Sequence, residues 1–162
     1  MDDTCPTTTV PSPTAPLNLV RVDPDLDVVT MAVKVPETLA HLHYWSVQMT
    51  RAAIKDEVLG AFRASSRIAL IRTSDGLVAL NTVKELMADR GRPHDNLYEV
   101  ALWADMLRVQ GDELFYAYMV DNQAIVIPET IDAIRALTGV VKNANESIAR
   151  TNTALGIETV FV

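Results

Sequence analysis

At 162 residues the chain is about one domain's worth. Its 49% hydrophobic content is enough for a packed core and too much for intrinsic disorder. A formal net charge of −7, with an isoelectric point near 4.8, argues against phosphate backbones and anionic membrane surfaces as partners. The one cysteine, Cys5, excludes an internal disulfide and a multi-cysteine metal site.

The opening MDDTCPTTTV lacks the apolar stretch of a signal peptide. No run approaches the roughly 20 apolar residues of a membrane helix. These features set a cytoplasmic location as the expectation. Residues 1–16 read as a tail, because Pro6, Pro11, Pro13 and Pro16 remove backbone donors and block helix. The domain proper is expected over residues 17–162.

Leu17 to Val22 reads as a short strand and Asp23–Pro24–Asp25 as a turn. Val28 to Val35 and Ala40 to Met49 read as two strands, antiparallel because the link at Pro36–Thr38 is short. Ile54, Val58, Ala61 and Phe62 have helical spacing and predict a helix over 53–64, with Thr50 as its cap. Arg67 to Arg72 is a buried strand. Ser74–Gly76 is a turn, and Leu80, Val83 and Met87 mark a second helix stopped by Gly91 and Pro93. Three strands follow at 97–103, 106–109 and 113–119, the last two joined at Gln110–Asp112. Pro128 opens a helix that Gly139 closes. Asn143 and Glu146 have capping-box spacing for a last helix ending at Gly156. The order predicts an α+β fold, a mostly antiparallel mixed sheet covered by helices on one face.

The densest chemistry lies on the 40–49 strand. Alternate side chains share a face, so His41, His43 and Trp45 point one way. The pair could act in acid–base chemistry, ligate a metal or pack in the core. A metal needs a third ligand, and the remaining candidates are His94 and scattered carboxylates. Cys5 has no base or helix N-terminus beside it in sequence to make a thiolate. The six glycines form neither GxGxxG nor a P-loop. The polar segment Asp121–Asn122–Gln123 reads equally as a ligand contact and as a solvated loop.

Four stretches carry more. DLDVVTMAVKVPETLAHLH, GRPHDNLYEVALW, VIPETIDAIRALTG and SIARTNTALGI, in that order, resemble the catalytic domain of type II (archaeal-type) glyceraldehyde-3-phosphate dehydrogenase from about Asp23 to Ile157. The resemblance implies a sheet-and-helix domain that follows a Rossmann half and oxidises glyceraldehyde 3-phosphate with NAD or NADP and phosphate. It implies that His41, first histidine of the HLH motif, is the general base, with His43 its neighbour. It places Asp121 and Asn122 where the family commonly has His-Gln, whose amide contacts the cofactor, so Asn122 is the one cofactor-contact candidate. The Gly-rich loop and the Ser-Cys-Asn-Thr-Thr stretch of the family are not in this sequence. Its paired substrate-binding histidines would fall at LNLV, Leu17 to Val20.

Two functions follow as expectations. One is the C-terminal catalytic part of a dehydrogenase, inactive and without bound NAD(P) unless a Rossmann-domain partner chain supplies cradle and thiol. The other is a non-enzymatic assembly or ligand-binding module that keeps the fold. Either reading expects a partner chain or a homo-oligomer, with an exposed apolar patch near Ile148, Leu155 and Ile157.

Overall fold

The computed structural model describes residues 39–161. The chain divides into two units, Met1–Glu37 and Thr38–Val162, and the described residues belong to the second. The expected tail over 1–16, the start of the domain at residue 17 and the strands at 17–22 and 28–35 lie outside the described residues.

In chain order the elements are β1 (Ala40–Gln48), α1 (Lys55–Arg63), β2 (Ile68–Ile71), α2 (Leu80–Asp89), β3 (Val100–Trp103), β4 (Arg108–Gln110), β5 (Glu113–Asp121), α3 (Val126–Thr138) and α4 (Ala144–Leu155). Among the described residues the strands form one mixed sheet in the order β1–β5–β3–β2, with β4 also on β5. Every pairing is antiparallel except β2 with β3, which α2 joins by a crossover. This is the expected α+β class.

Helical cover is wider than the single face expected. Ala69, Ile71, Ala101, Trp103, Ala117 and Met119 pack with Val83 and Met87 of α2. Their neighbours Ile68, Leu70, Leu102, Tyr116 and Tyr118 pack on the opposite face with Leu59, Val58 and Phe62 of α1. Strand residues one apart point to opposite faces, so α1 and α2 sandwich the sheet. The reason is composition: β2 and β3, IALI and VALW, are apolar at every position, as strands buried on both sides must be.

Local differences from the expected elements have simple causes. Ile54, not Thr50, occupies the cap position of α1, and no side chain caps it. α3 begins at Val126, two residues before Pro128, because the first helical N–H groups need no intrahelical acceptor and proline's missing donor costs nothing there. Asn143 caps α4 as its spacing predicted, accepting from the Glu146 N–H at 3.1 Å. Gly139 and Gly156 end their helices at φ 68° and 64°, the left-handed region where a Cβ is costly.

The expected patch at Ile148, Leu155 and Ile157 is half-buried rather than exposed. The segment after α4 folds back: Phe161 enters the core beside Leu97, and the Glu158 N–H donates to the Glu99 carboxylate at 2.8 Å. Exposed apolar residues include Val160 in that segment, and Ile134, Leu137 and Val140 along the last turns of α3 and just beyond it.

One polar network ties α3 and α4 to each other and to the segment before β2. Asp132 on α3 accepts from Ser147 (2.6 Å) and Thr151 (2.7 Å) of α4 and pairs with Arg67 (2.5 Å) before β2. Arg135 donates to the Ser147 carbonyl at 3.0 Å and to the Thr151 hydroxyl at 2.5 Å. Burial pushes the Asp132 carboxyl up, but the hydrogen bonds from Ser147, Thr151 and Arg67 together outweigh it and hold the group at about 2. With a folded value below the unfolded 3.8, this carboxylate stabilises the fold fully above about pH 5 and progressively less as pH falls towards 2. The urea midpoint of the parent is therefore expected to fall more steeply below about pH 4 than that of Asp132→Asn, whose midpoint starts lower and flatter.

Candidate active site

β1 and β5 pair along their whole length, and the register decides what surrounds the histidines. His41 lies opposite Val120, His43 opposite Tyr118 and Trp45 opposite Tyr116. Directly opposite residues share a face, so imidazoles and aromatic rings form one stripe on the α1 side of the sheet. His43 stacks on Tyr118, with ring centroids 4.8 Å apart and planes 11° from parallel. His41 meets His43 edge-on, at 5.8 Å and 64°. Trp45 Nε1 donates to the Tyr118 hydroxyl at 3.2 Å, and Tyr116 continues the row at 6.1 Å towards Phe62 of α1.

The two histidines are not equivalent. His41 is exposed and His43 half-buried. Burial holds His43 below the ordinary imidazole value, and the neighbouring His41 pushes it further down. The geometry offers an accessible imidazole beside one that resists protonation. An accessible imidazole is what proton abstraction from an incoming hydroxyl or thiol needs.

The loop after β5 is built by Asp121. Its carboxylate is buried, pairs with Lys84 Nζ at 2.5 Å, and accepts from the Gln123 and Ala124 N–H groups at 2.9 and 3.0 Å. Burial alone would raise its pKa; Lys84 and the two backbone donors outweigh that and lower it. Asp121 is therefore a structural group. Asn122 donates its backbone N–H to the Leu39 carbonyl at 3.0 Å and leaves its side chain exposed, close to the start of the histidine strand.

Among the described residues no group of three His, Cys, Asp or Glu side chains is arranged to hold a metal ion, and His94 sits apart, in the Pro93–Asp95 turn. None of the described helices is long and apolar enough to cross a membrane.

No protein-family model matches the chain. Individual proteins do. It is 38% identical to glyceraldehyde-3-phosphate dehydrogenase of Methanopyrus kandleri over 92% of its length, and 40% identical to that of Pyrobaculum calidifontis over 94%. It is 41% identical to that of Archaeoglobus fulgidus over 85%. The chain belongs to the archaeal glyceraldehyde-3-phosphate dehydrogenase family. It spans about two-fifths of the length of the curated relatives it matches, 40% to 44% in these three, consistent with a C-terminal portion.

Membership in a dehydrogenase family implies a nicotinamide cofactor. The described residues do not fit one by themselves. Gly76, Gly91, Gly111, Gly139 and Gly156 all have positive φ, and they sit in turns or at helix C-termini. None opens a helix whose N–H groups would meet a pyrophosphate. The stretches at 126–139 and 147–157 supply the Asp132–Arg135–Ser147–Thr151 network.

Sequence reasoning missed Tyr118. It meets His43 only through the β1–β5 register and accepts from Trp45 across 73 positions of chain, and a single sequence carries no signal for either.

Proposed function

We propose that this chain is the histidine-bearing catalytic portion of an archaeal-type glyceraldehyde-3-phosphate dehydrogenase. In this reading it oxidises glyceraldehyde 3-phosphate together with a Rossmann-type unit that supplies the cofactor cradle and the thiol. The single observation that carries the reading is the exposed His41 on a sheet face, at the position the HLH motif assigns to the general base. His41 takes the thiol proton, gives it to the aldehyde oxygen as the thiolate adds to the carbonyl carbon, and takes that hydroxyl proton back when the adduct is oxidised. His43 flanks it, and the Asn122 amide is the contact offered to the nicotinamide. NAD or NADP would be held by the partner.

Exposed Ile134, Leu137 and Val140 support assembly, either with that partner or between copies of this chain. Light scattering at high concentration is expected to show a species larger than the monomer.

The purified chain alone is expected to show no NAD(P)-dependent oxidation of glyceraldehyde 3-phosphate. Mixing it with a candidate chain carrying GxGxxG and the cysteine motif is expected to produce turnover. Turnover by the chain alone that survives Cys5→Ala would overturn this division of labour. A second reading, a non-enzymatic module that keeps the fold, is favoured by one observation: Asp121, where the family commonly has histidine, is wholly engaged by Lys84 and backbone. Stable complex formation without any turnover would select it.

A further inference from the structure

We propose that Tyr118 is the positioning residue of the histidine pair: its ring sets the plane of His43, and the ring of His43 sets how His41 stands on the sheet. The argument is geometric. A strand holds its side chains by the backbone and one χ1 well, which leaves the χ2 torsion of an imidazole broad. Something must choose the ring plane. For His43 the chooser is Tyr118, cross-strand and near-parallel at 4.8 Å. Tyr118 is itself fixed at both ends, by the Trp45 Nε1 donor on its hydroxyl and by Tyr116 behind it. Among the described residues His41 has no such cross-strand ring, since its partner on β5 is Val120. Its aromatic contact among the described residues is the edge of His43. Orientation thus passes from β5 to His43 and from His43 to His41. Among the described residues the titratable groups facing His43 are His41 on its own strand and Tyr118 on β5, with Tyr116 next along β5; α1 presents the uncharged Phe62 to that row.

The consequence for catalysis rests on reading His41 as the base; the geometry does not. The chain has three histidines, so each imidazole C2–H can be followed through a proton NMR titration and assigned by single His→Gln variants. In the parent, nuclear Overhauser contacts between the His43 and Tyr118 rings are expected, with His43 titrating below the ordinary imidazole value. In Tyr118→Phe the stack survives and the His43 curve is expected to stay in place. In Tyr118→Ala it is expected to move up towards 6.5, the ordinary value. If the alanine variant does not fold, the ring contacts in the parent decide alone. Absent ring contacts in the parent, or a folded Tyr118→Ala with the His43 curve unmoved, overturn the proposal.

With a complementing partner, Tyr118→Ala is expected to lower kcat/KM about tenfold or more, against near-parent rates for Tyr118→Phe. Rates indifferent to His41→Gln, together with the shifted His43 curve, would sink the base reading and leave the positioning role standing. Equal losses in the Phe and Ala variants would overturn transmission through the ring.

Discussion

Glu99→Ala is expected to lose about 3–5 kcal/mol of unfolding free energy, the usual result of removing one partner from a buried ion pair. Glu99 is 0% exposed, and its two oxygens accept from the two terminal nitrogens of Arg92, each at 2.6 Å. The same Arg92 donates to the Gly156 carbonyl at 2.7 Å and lies over the Tyr98 and Phe161 rings. Burial alone would lower the Arg92 pKa; the Glu99 carboxylate outweighs it and keeps the guanidinium charged. Deleting Glu99 strands that cation and releases the Glu158 N–H that pins the C-terminal segment. Denaturant unfolding gives the number. The double variant Arg92→Met, Glu99→Leu is the control: replacing both ions by apolar groups of similar size is expected to recover most of the loss. If Glu99→Ala costs less than about 1 kcal/mol, the pair does not hold the C-terminal segment to the sheet.

His41→Gln, assayed with the complementing chain, is expected to lower kcat/KM by about 10²–10⁴-fold with stability little changed, the range of a lost general base. The side chain is exposed and takes part in no ion pair among the described residues, so folding has little to lose. A His43→Gln variant separates the roles: it is expected to cost less than His41→Gln, because His43 lies against Tyr118 rather than open to an incoming group. If the order of the two losses is reversed, the base is His43.

Periodicity alone located most of the elements. The four helices, the strand at β1 and the turn between β4 and β5 fall within a few residues of their expected places, because each is set by local spacing, Gly or a cap. The helix ends marked by Gly139, Gly156 and Asn143 were legible for the same reason. The placement of helices on both faces was less legible. An unbroken apolar run such as IALI shows burial on two sides, but nothing local says which helix covers which side. The expected exposed patch at α4 fell to the same limit, since a chain end can return over a helix and here Phe161 does so.

Composition and residue order by themselves determined the α+β class and the two-residue interval that puts His41 and His43 on one face, and the four quoted stretches carried the resemblance to the family. Those are properties of near neighbours and of whole-chain pattern. Only the tertiary structure decided the register of β1 on β5, and with it the Tyr118 shelf, the exposure of His41 and the commitment of Asp121 to Lys84. The physical reason is that a strand's own alternation chooses faces, while the partner across the hydrogen bonds is chosen by how the distant chain packs.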